Sequence, residues 1–416
     1  MKKLGLTAWM IFIYIVLIAF SSVGQTSARF KAIEYIQEGD THLQNRDWEQ
    51  AIFSYTNAIQ ADVSFAEAYM KRGQLYERTT HFQEAISDYN MAIQLNPFID
   101  IYYDQRARIR VLSFDYYGAL NDVNQAIALN PYNQDYMNHK IDGFISLEMY
   151  DEALAKLDSL NDSGQNLTHT LQRKALIYLL SDDLASAEAA VEKAFELDDK
   201  SYLTLDLYGL IELKRERYSE AIEWFDKAIR VDSSQYVSFY NRGISYRHLG
   251  EEELALRDIN KAISLNMNNQ FAFYSRALIK KEQGDFSGAI LDYNSAIKID
   301  PLYSDAIYNR AFTFKILGDY TNASKDIDFV INLPENRPEY WNMKGNLLIL
   351  HGDIRGSIVC FDNAISYDMN FAEAYYNRGI ANLLANRPLQ GCEDFERSSS
   401  LGYTRADVVF SNFCGH

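Results

Sequence analysis

The hydrophobic pattern between Phe271 and Tyr303 predicts two consecutive helices. Apolar and small residues recur there at helical spacing, first from Phe271 to Glu282 and then from Phe286 to about Lys298. Between the two runs stands Gln283-Gly284-Asp285, in which a glycine ends one helix and an aspartate begins the next. The pattern therefore predicts a helical hairpin.

The hairpin pattern recurs every 34 residues, without insertion or deletion, from Ala32 to Arg405, which gives eleven copies. Position 8 of the copies is small except in the fourth: Gly39, Gly73, Ala107, Ile141, Ala175, Gly209, Gly243, Ala277, Ala311, Gly345 and Gly379. Position 20 is alanine in nine copies, then Ser357 and Gly391. Position 24 is large and apolar, as in Tyr55, Tyr293 and Phe361. Small residues at fixed places let the two helices of each copy approach closely.

These positions resemble the tetratricopeptide repeat family over 374 of the 416 residues. The resemblance implies an all-α fold, an α-α superhelical solenoid of eleven 34-residue helical hairpins in which each hairpin contacts its neighbours. It also implies a concave groove lined by the first helix of each hairpin. The fourth copy, Gln134 to Leu167, departs most from the pattern, with Ile141 at position 8 and Leu160 at position 27. We expect it to be the least stable copy.

Two further positions predict an ion pair between the helices of a hairpin. Position 7 is arginine and position 23 is aspartate in the same six copies, and neither residue occurs there in the other five. The pairs are Arg72 with Asp88, Arg106 with Asp122, Arg242 with Asp258, Arg276 with Asp292, Arg310 with Asp326, and Arg378 with Asp394. Co-occurrence indicates contact, although recent duplication would also make both residues appear together.

The first 24 residues have the order of a secretory signal peptide. A basic start is followed by an apolar run from Leu4 to Phe20 and then by small residues ending at Gly24. Gln25 after the expected cut resembles the export signals of Bacteroidota. We expect residues 1–24 to be removed, residues 25–31 to be a short tether, and the protein to be exported, to the periplasm. The alternative is an uncleaved membrane anchor formed by residues 4–20.

The formal net charge of −17 is unevenly distributed. Residues 32–201 hold 28 acidic and 13 basic side chains, whereas residues 236–337 hold 13 and 12. Because the first five copies repel polyanions, we expect no nucleic-acid partner. Acidity of this kind also serves solubility alone.

The sequence contains no recognisable catalytic, cofactor or metal-binding motif. Its seven histidines are scattered among different copies, and no two have the i, i+4 spacing of a zinc-binding helix. Glycine-rich phosphate loops, nucleophile motifs and C-x-x-C pairs are absent as well. We therefore expect no cofactor, no metal and no enzymatic activity.

The three cysteines are Cys360, Cys392 and Cys414. An exported chain meets an oxidising compartment, which favours a disulfide between Cys392 and Cys414 over two reduced thiols. The segment from Gly391 to Cys414 also resembles the C-terminal ends of Bacteroidota repeat proteins. Residues 406–416 are expected to form a capping helix, with Ala406, Val409, Phe410 and Phe413 on its apolar face. Cys360 is expected to be a small buried residue.

The resemblance places a candidate peptide-binding surface on the first helices of copies 7 to 9. Positions 5, 9 and 12 supply tyrosines, apolar residues and cations in turn: Tyr240, Tyr274 and Tyr308; Ile244, Leu278 and Phe312; Arg247, Lys281 and Lys315. Residues seven apart share one helical face. Tyrosine gives contact area and a hydrogen bond at low entropic cost, and cations attract acidic groups. The alternative is that the tyrosines only pack the repeat and the cations are solvated.

The sequence thus leaves three functional hypotheses. The favoured one is a non-enzymatic scaffold that binds a peptide or a partner protein, of unknown identity, in its groove. The second is a membrane-tethered structural subunit of an envelope or secretion assembly, which requires residues 4–20 to stay attached. The third is an enzyme, for which the repeats leave only about eleven residues after the last copy.

Overall fold

The computed structural model describes residues 27–161 and 167–414. Within these ranges the chain forms 23 helices and no strand, which confirms the all-α prediction. The chain divides into two compact units, one ending at Ala190 and the other starting at Val191. The signal peptide predicted at residues 1–24 lies outside the described residues.

The first unit contains five helical hairpins, the last of which continues across its boundary. Its helices are α1 (27–44), α2 (Trp48–Ala61), α3 (Ala66–Arg78), α4 (Phe82–Leu95), α5 (Asp100–Leu112), α6 (Tyr116–Leu129), α7 (Gln134–Ser146), α8 (Tyr150–Asn161), α9 (Leu167–Leu180) and α10 (Leu184–Leu197). The tether expected at residues 25–31 needs correction, because residues 27–31 already belong to α1.

The second unit contains six hairpins and a final single helix. Its helices are α11 (Tyr202–Lys214), α12 (Tyr218–Val231), α13 (Tyr236–His248), α14 (Glu252–Leu265), α15 (Gln270–Glu282), α16 (Phe286–Ile299), α17 (Ser304–Ile316), α18 (Tyr320–Val330), α19 (Pro338–Leu350), α20 (Ile354–Tyr367), α21 (Ala372–Leu384), α22 (Pro388–Ser400) and α23 (Thr404–Phe413). The helices predicted from Phe271 and Phe286 are α15 and α16. In the described part of the chain, no helix has the length and apolarity to cross a bilayer.

In the six hairpins with glycine at position 8, a large side chain at position 24 of the second helix lies against that glycine. The ring of Phe361 is fully buried, and a Cβ atom added to Gly345 would lie 2.5 Å from its Cε1 atom. That distance is far inside van der Waals contact, so the ring requires glycine at this position. Position 8 is therefore small because position 24 occupies the space beside it.

The turn within every hairpin has the same backbone conformation. Position 15 has a positive φ in all eleven copies: Arg46, Thr80, Phe114, Glu148, Asp182, Glu216, Gly250, Gly284, Gly318, Gly352 and Asn386. A left-handed residue ends the first helix. An aspartate at position 16 often begins the second, as where Asp285 Oδ1 accepts a hydrogen bond from the Gly288 N–H at 2.9 Å.

The structure confirms all six predicted Arg–Asp ion pairs. In each, the arginine Nε and Nη2 atoms donate to the two aspartate oxygens over 2.5 to 3.0 Å. The arginine side chains are 13 to 23% exposed and the aspartates 0 to 12%. This is the two-point geometry in which a guanidinium binds a carboxylate most strongly. The pairs are substantially buried, and not solvated surface contacts.

Each of these arginines also contacts the preceding hairpin. Its Nη1 atom donates over 2.5 to 3.1 Å to position 25 of the previous second helix, the acceptors being Thr56, Asn90, Asp226, Asn260, Asn294 and Asp362. One guanidinium thus joins the two helices of its own hairpin and a third helix from its neighbour.

The copies without the pair use other contacts at the same place. Lys174 and Lys344 bind Asp158 and Asp328 at position 25 of the preceding copy. In the sixth copy, Tyr208 stacks on Trp224 with ring centroids 4.5 Å apart. In the fourth, burial and then the neighbouring Lys156 lower the pKa of Lys140.

The C-terminal helix α23 packs on α22, and the structure joins Cys392 to Cys414 with their Cα atoms 5.5 Å apart. This separation is ordinary for a disulfide. Cys360 is a buried free thiol. The capping helix expected at residue 406 begins at Thr404, and its apolar face is shorter than expected, because Ala406 is buried whereas Phe413 is exposed.

We predict that Asp292→Ala lowers the free energy of unfolding by about 3 kcal/mol, because Arg276 and Lys280 both lose their buried carboxylate. Asp328→Ala is the matched control, since Asp328 is an exposed partner of Lys344, and it should cost under about 1 kcal/mol. Urea unfolding followed by circular dichroism measures both. Equal losses for the two variants would show that burial of the pair does not matter.

We predict a single free thiol, that of Cys360, when the native protein is denatured without reductant. Closing a loop with a sequence separation of 22 should stabilise the packing of α23 on α22 by about 3 kcal/mol in the chain-entropy model. Thiol titration checks the count, and a count of three would rule out the disulfide.

Candidate functional site

The nine predicted site residues lie on α13, α15 and α17, the first helices of three successive hairpins. We call them the tyrosine strip. Adjacent helices are bonded across it: the Tyr240 hydroxyl lies 3.3 Å from Ser275 Oγ, and Asn309 Nδ2 donates to the Tyr274 hydroxyl at 3.1 Å. The structure therefore brings the first helices of the three copies into contact along the strip.

The three tyrosines are half-buried. The rings of Tyr274 and Tyr308 pack on other aromatic rings. Tyr274 lies 5.1 Å from Tyr303, and Tyr308 lies 5.3 Å from Tyr340, between ring centroids. Burial raises the pKa of Tyr274 and Tyr308 to about 12, so both hydroxyls stay protonated at neutral pH. Part of each ring thus serves the packing that the sequence offered as the alternative interpretation. The remaining part is exposed.

An apolar row separates the tyrosines from the cations. Ile244 and Leu278 are half-buried, and Phe312 is 37% exposed. The Lys281 ammonium lies 5.5 Å from the centre of the Phe312 ring, within the range of a cation–π contact. The row gives a ligand an apolar surface beside positive charge.

Two cations of the strip, Arg247 and Lys281, already have polar partners that sequence reasoning missed. Arg247 Nη2 donates to Glu282 Oε1 at 2.6 Å, and Lys281 Nζ donates to Asn309 Oδ1 at 2.9 Å. Burial lowers the pKa of Lys281 and of Lys315, while the carboxylates Glu282 and Glu373 respectively oppose that shift. Asn309 and Glu282 each follow a predicted site position in sequence, so reading the neighbouring positions would have found them.

One N–H group of the strip has no acceptor. Within the described chain, Arg247 Nε is buried without a hydrogen-bond partner. A buried donor without an acceptor is unfavourable. A bound acidic group would supply an acceptor for the Arg247 Nε–H group if the side chain rearranged.

A buried aspartate continues the tyrosine row at position 5 of the sixth copy. Asp206 on α11 is 3% exposed, and its Oδ2 atom accepts from Ser238 Oγ at 2.8 Å, whereas Oδ1 has no partner among the described residues. Burial raises the pKa of Asp206 to about 7, although the Ser238 bond opposes the shift. The burial of Asp206 could not be predicted from the sequence, because a lone aspartate among solvated ones has no distinguishing pattern.

Two tetratricopeptide repeat family models match, one at residues 36–98 and 173–237 and the other at 236–269 and 272–301. No curated protein matches the sequence.

Several solved structures are similar to the chain. The Cut9–Hcn1 structure of the APC/C hetero-tetramer covers 92% of this chain and 96% of its own, with 10% identity and a TM-score of 0.52. Yeast Tom70 covers 92% and 95%, with 16% identity and a TM-score of 0.42. A tetratricopeptide repeat protein from Parabacteroides merdae covers 59% and 98%, with 21% identity and a TM-score of 0.45. The likeness to Cut9–Hcn1 shows a shared fold.

We predict that unfolding free energy falls as pH rises from about 4 to 7, by up to about 1.4 kcal/mol per pH unit from Asp206 alone. The sign follows because the folded pKa is raised above the ordinary value of 3.8, so the folded state holds a proton that the unfolded state has released. Asp206→Asn should remove this slope, and Asp199→Asn, at an exposed position, should not. Urea titrations at pH 5 and pH 8 measure it. An unchanged slope in Asp206→Asn would contradict the assignment.

Proposed function

We propose that the protein is a non-enzymatic scaffold that binds a peptide or partner protein along the tyrosine strip, because it contains tetratricopeptide repeats, whose fold generally mediates protein–protein interactions. The partner is a segment that carries an acidic group. The family fold is generally non-catalytic, which supports a binding role. The structure with a shared fold is itself an assembly, the Cut9–Hcn1 hetero-tetramer.

The observation that carries this proposal is the alignment of half-exposed tyrosines, an apolar row and cations across three helices. Two of the three cations are held near the next helix by one polar contact each, Arg247 by Glu282 and Lys281 by Asn309. An arriving carboxylate would meet cations whose positions are already fixed, which reduces the ordering cost of binding. The neighbouring region is also close to neutral, with 13 acidic and 12 basic side chains in residues 236–337. Acidic segments are therefore repelled less here than by the first five copies.

We predict that Tyr274→Ala and Lys281→Ala, made separately, each weaken binding of a partner captured from the native organism by about tenfold or more, which is a hot-spot magnitude. Tyr274→Phe separates the hydroxyl from the ring, since it keeps the packing on Tyr303. Lys298→Ala, at an exposed position on the second helix α16, is the control and should leave binding unchanged. Isothermal titration calorimetry measures all four. If neither alanine variant changes affinity by more than about 0.5 kcal/mol, the strip is not the binding surface.

We also propose that the protein is exported and loses residues 1–24, on the order of basic, apolar and small residues in that segment. The intact mass of the native protein should be that of a chain that begins at Gln25. A mass that includes residues 1–24 would overturn cleavage and favour a membrane-tethered structural subunit.

A further inference from the structure

The fourth copy exchanges a small and a large residue within its first helix. Position 8, which is small in the other ten copies, is the fully buried Ile141. Position 10 is Gly143, where six other copies carry a buried branched residue: Leu75, Ile109, Ile177, Ile211, Ile279 and Leu347. Ile141 and Gly143 are two residues apart on α7. The fourth copy therefore has no side chain at position 10, where these six copies have a buried leucine or isoleucine.

A cavity of about 260 Å³ lies at this place, between the third hairpin and α7. Its buried floor is apolar and includes Ala107, Ala119 and Val123, together with Gly143. A Cβ atom on Gly143 would meet only Leu120, at 3.5 Å from Cδ1 and so in ordinary contact. The space is therefore open to a larger group.

The cavity is accessible from solvent. Val111 and Leu112, which also line it, are 38% and 53% exposed. A dry apolar cavity of about 150 Å³ suffices to bind benzene, so this one has room for an aromatic or branched aliphatic side chain. It is smaller than the cavities of about 300 to 1,000 Å³ that take drug-sized molecules.

Charged groups of both signs lie at the mouth, where Glu77 and Asp142 line the cavity together with Arg108 and His139. Arg108 is exposed and lines both this cavity and a second, polar one of about 350 Å³, whose other charged residues are Lys71, Arg78 and Glu77. Glu77 contacts Arg108 at 3.2 Å, and Asp40 binds Lys71 at 2.9 Å. The lining of the polar cavity therefore has three cations and one carboxylate, within the part of the chain that is otherwise acidic.

The two charged or titratable groups on the α7 side of the mouth already have partners. His139 Nδ1 lies 2.6 Å from Asp104 Oδ1, and Asp142 binds Arg173. Arg108 lines both cavities, and its side chain is 51% exposed. A guanidinium has five N–H donors, so Arg108 can bind a second carboxylate beside Glu77.

We propose that this cavity binds one bulky apolar side chain of a partner protein, and that Arg108 binds a carboxylate on the adjacent residue of the same segment. The site is separate from the tyrosine strip, because all its residues precede Ala190 whereas the strip lies after Val191. A negative result for this cavity would therefore leave the proposed function of the tyrosine strip unaffected, and the reverse also holds.

The test uses the purified full chain and a probe peptide, acetyl-Ser-Gly-Phe-Glu-Gly-Ser-amide with a fluorinated phenylalanine, observed by fluorine NMR. We expect saturable binding below about 10 mM, in the range of weak single-side-chain ligands. Replacing the phenylalanine of the peptide by fluoroalanine should weaken binding at least about tenfold, since most of the buried apolar area is lost. Replacing its glutamate by glutamine should weaken binding by a smaller factor.

Gly143→Ile should fill the cavity, raise the melting temperature and weaken peptide binding at least about tenfold. Gly143→Val serves the same purpose if the isoleucine is too large for folding. Arg108→Gln should remove the effect of the peptide glutamate, whereas Arg355→Gln, at an exposed position of the other unit, should change nothing.

Several outcomes would overturn the proposal. They are absence of binding to the wild-type chain at about 10 mM, equal binding by folded Gly143→Ile or Gly143→Val, and equal binding of free acetyl-phenylalanine, which would indicate a small-molecule site. A dimer that forms with rising concentration and is lost in the Gly143 variants would show that a second copy of this chain occupies the cavity instead.

Discussion

The structure depends on the guanidinium group at position 7 of the repeat. Through two N–H groups it binds the aspartate of its own second helix, and through a third it reaches the preceding hairpin, as Arg276 does with Asp292 and Asn260. A lysine has no such planar fork, and Lys344 binds Asp328 of the preceding copy through a single ammonium group. Small residues allow the helices to approach, whereas the arginine fixes which helices meet. Since stability in repeat proteins comes from hairpins and their interfaces, one side chain contributes to both.

Much of this was predictable from the sequence, because a period of 34 residues repeats every local requirement eleven times. The Arg–Asp contact followed from the occurrence of both residues in the same six copies. The third contact did not, because its acceptor alternates among threonine, asparagine and aspartate and gives no constant signal. The left-handed turn residue was also hidden, since glycine occupies only four of the eleven positions and residues such as Thr80 and Phe114 the rest.

The binding surfaces were harder to predict than the fold, because they arise where copies differ. The tyrosine strip could be located from its spacing. The contacts of Arg247 with Glu282 and of Lys281 with Asn309 could not be predicted, because they depend on how far side chains reach between helices. The cavity beside Gly143 had a signal at position 10, where isoleucine or leucine is common. The sequence showed Ile141 as an exception but could not show whether its neighbours collapse around the missing side chain.

The central claim, that one arginine connects two hairpins, is tested most directly by hydrogen exchange of Arg276→Met against the wild-type chain. We expect faster amide exchange in α16 of its own hairpin and also in α14 of the preceding one, with α20 unchanged, because exchange reports local opening. Faster exchange confined to α15 and α16 would contradict the claim, since the bond to Asn260 would then contribute nothing to the contact between hairpins.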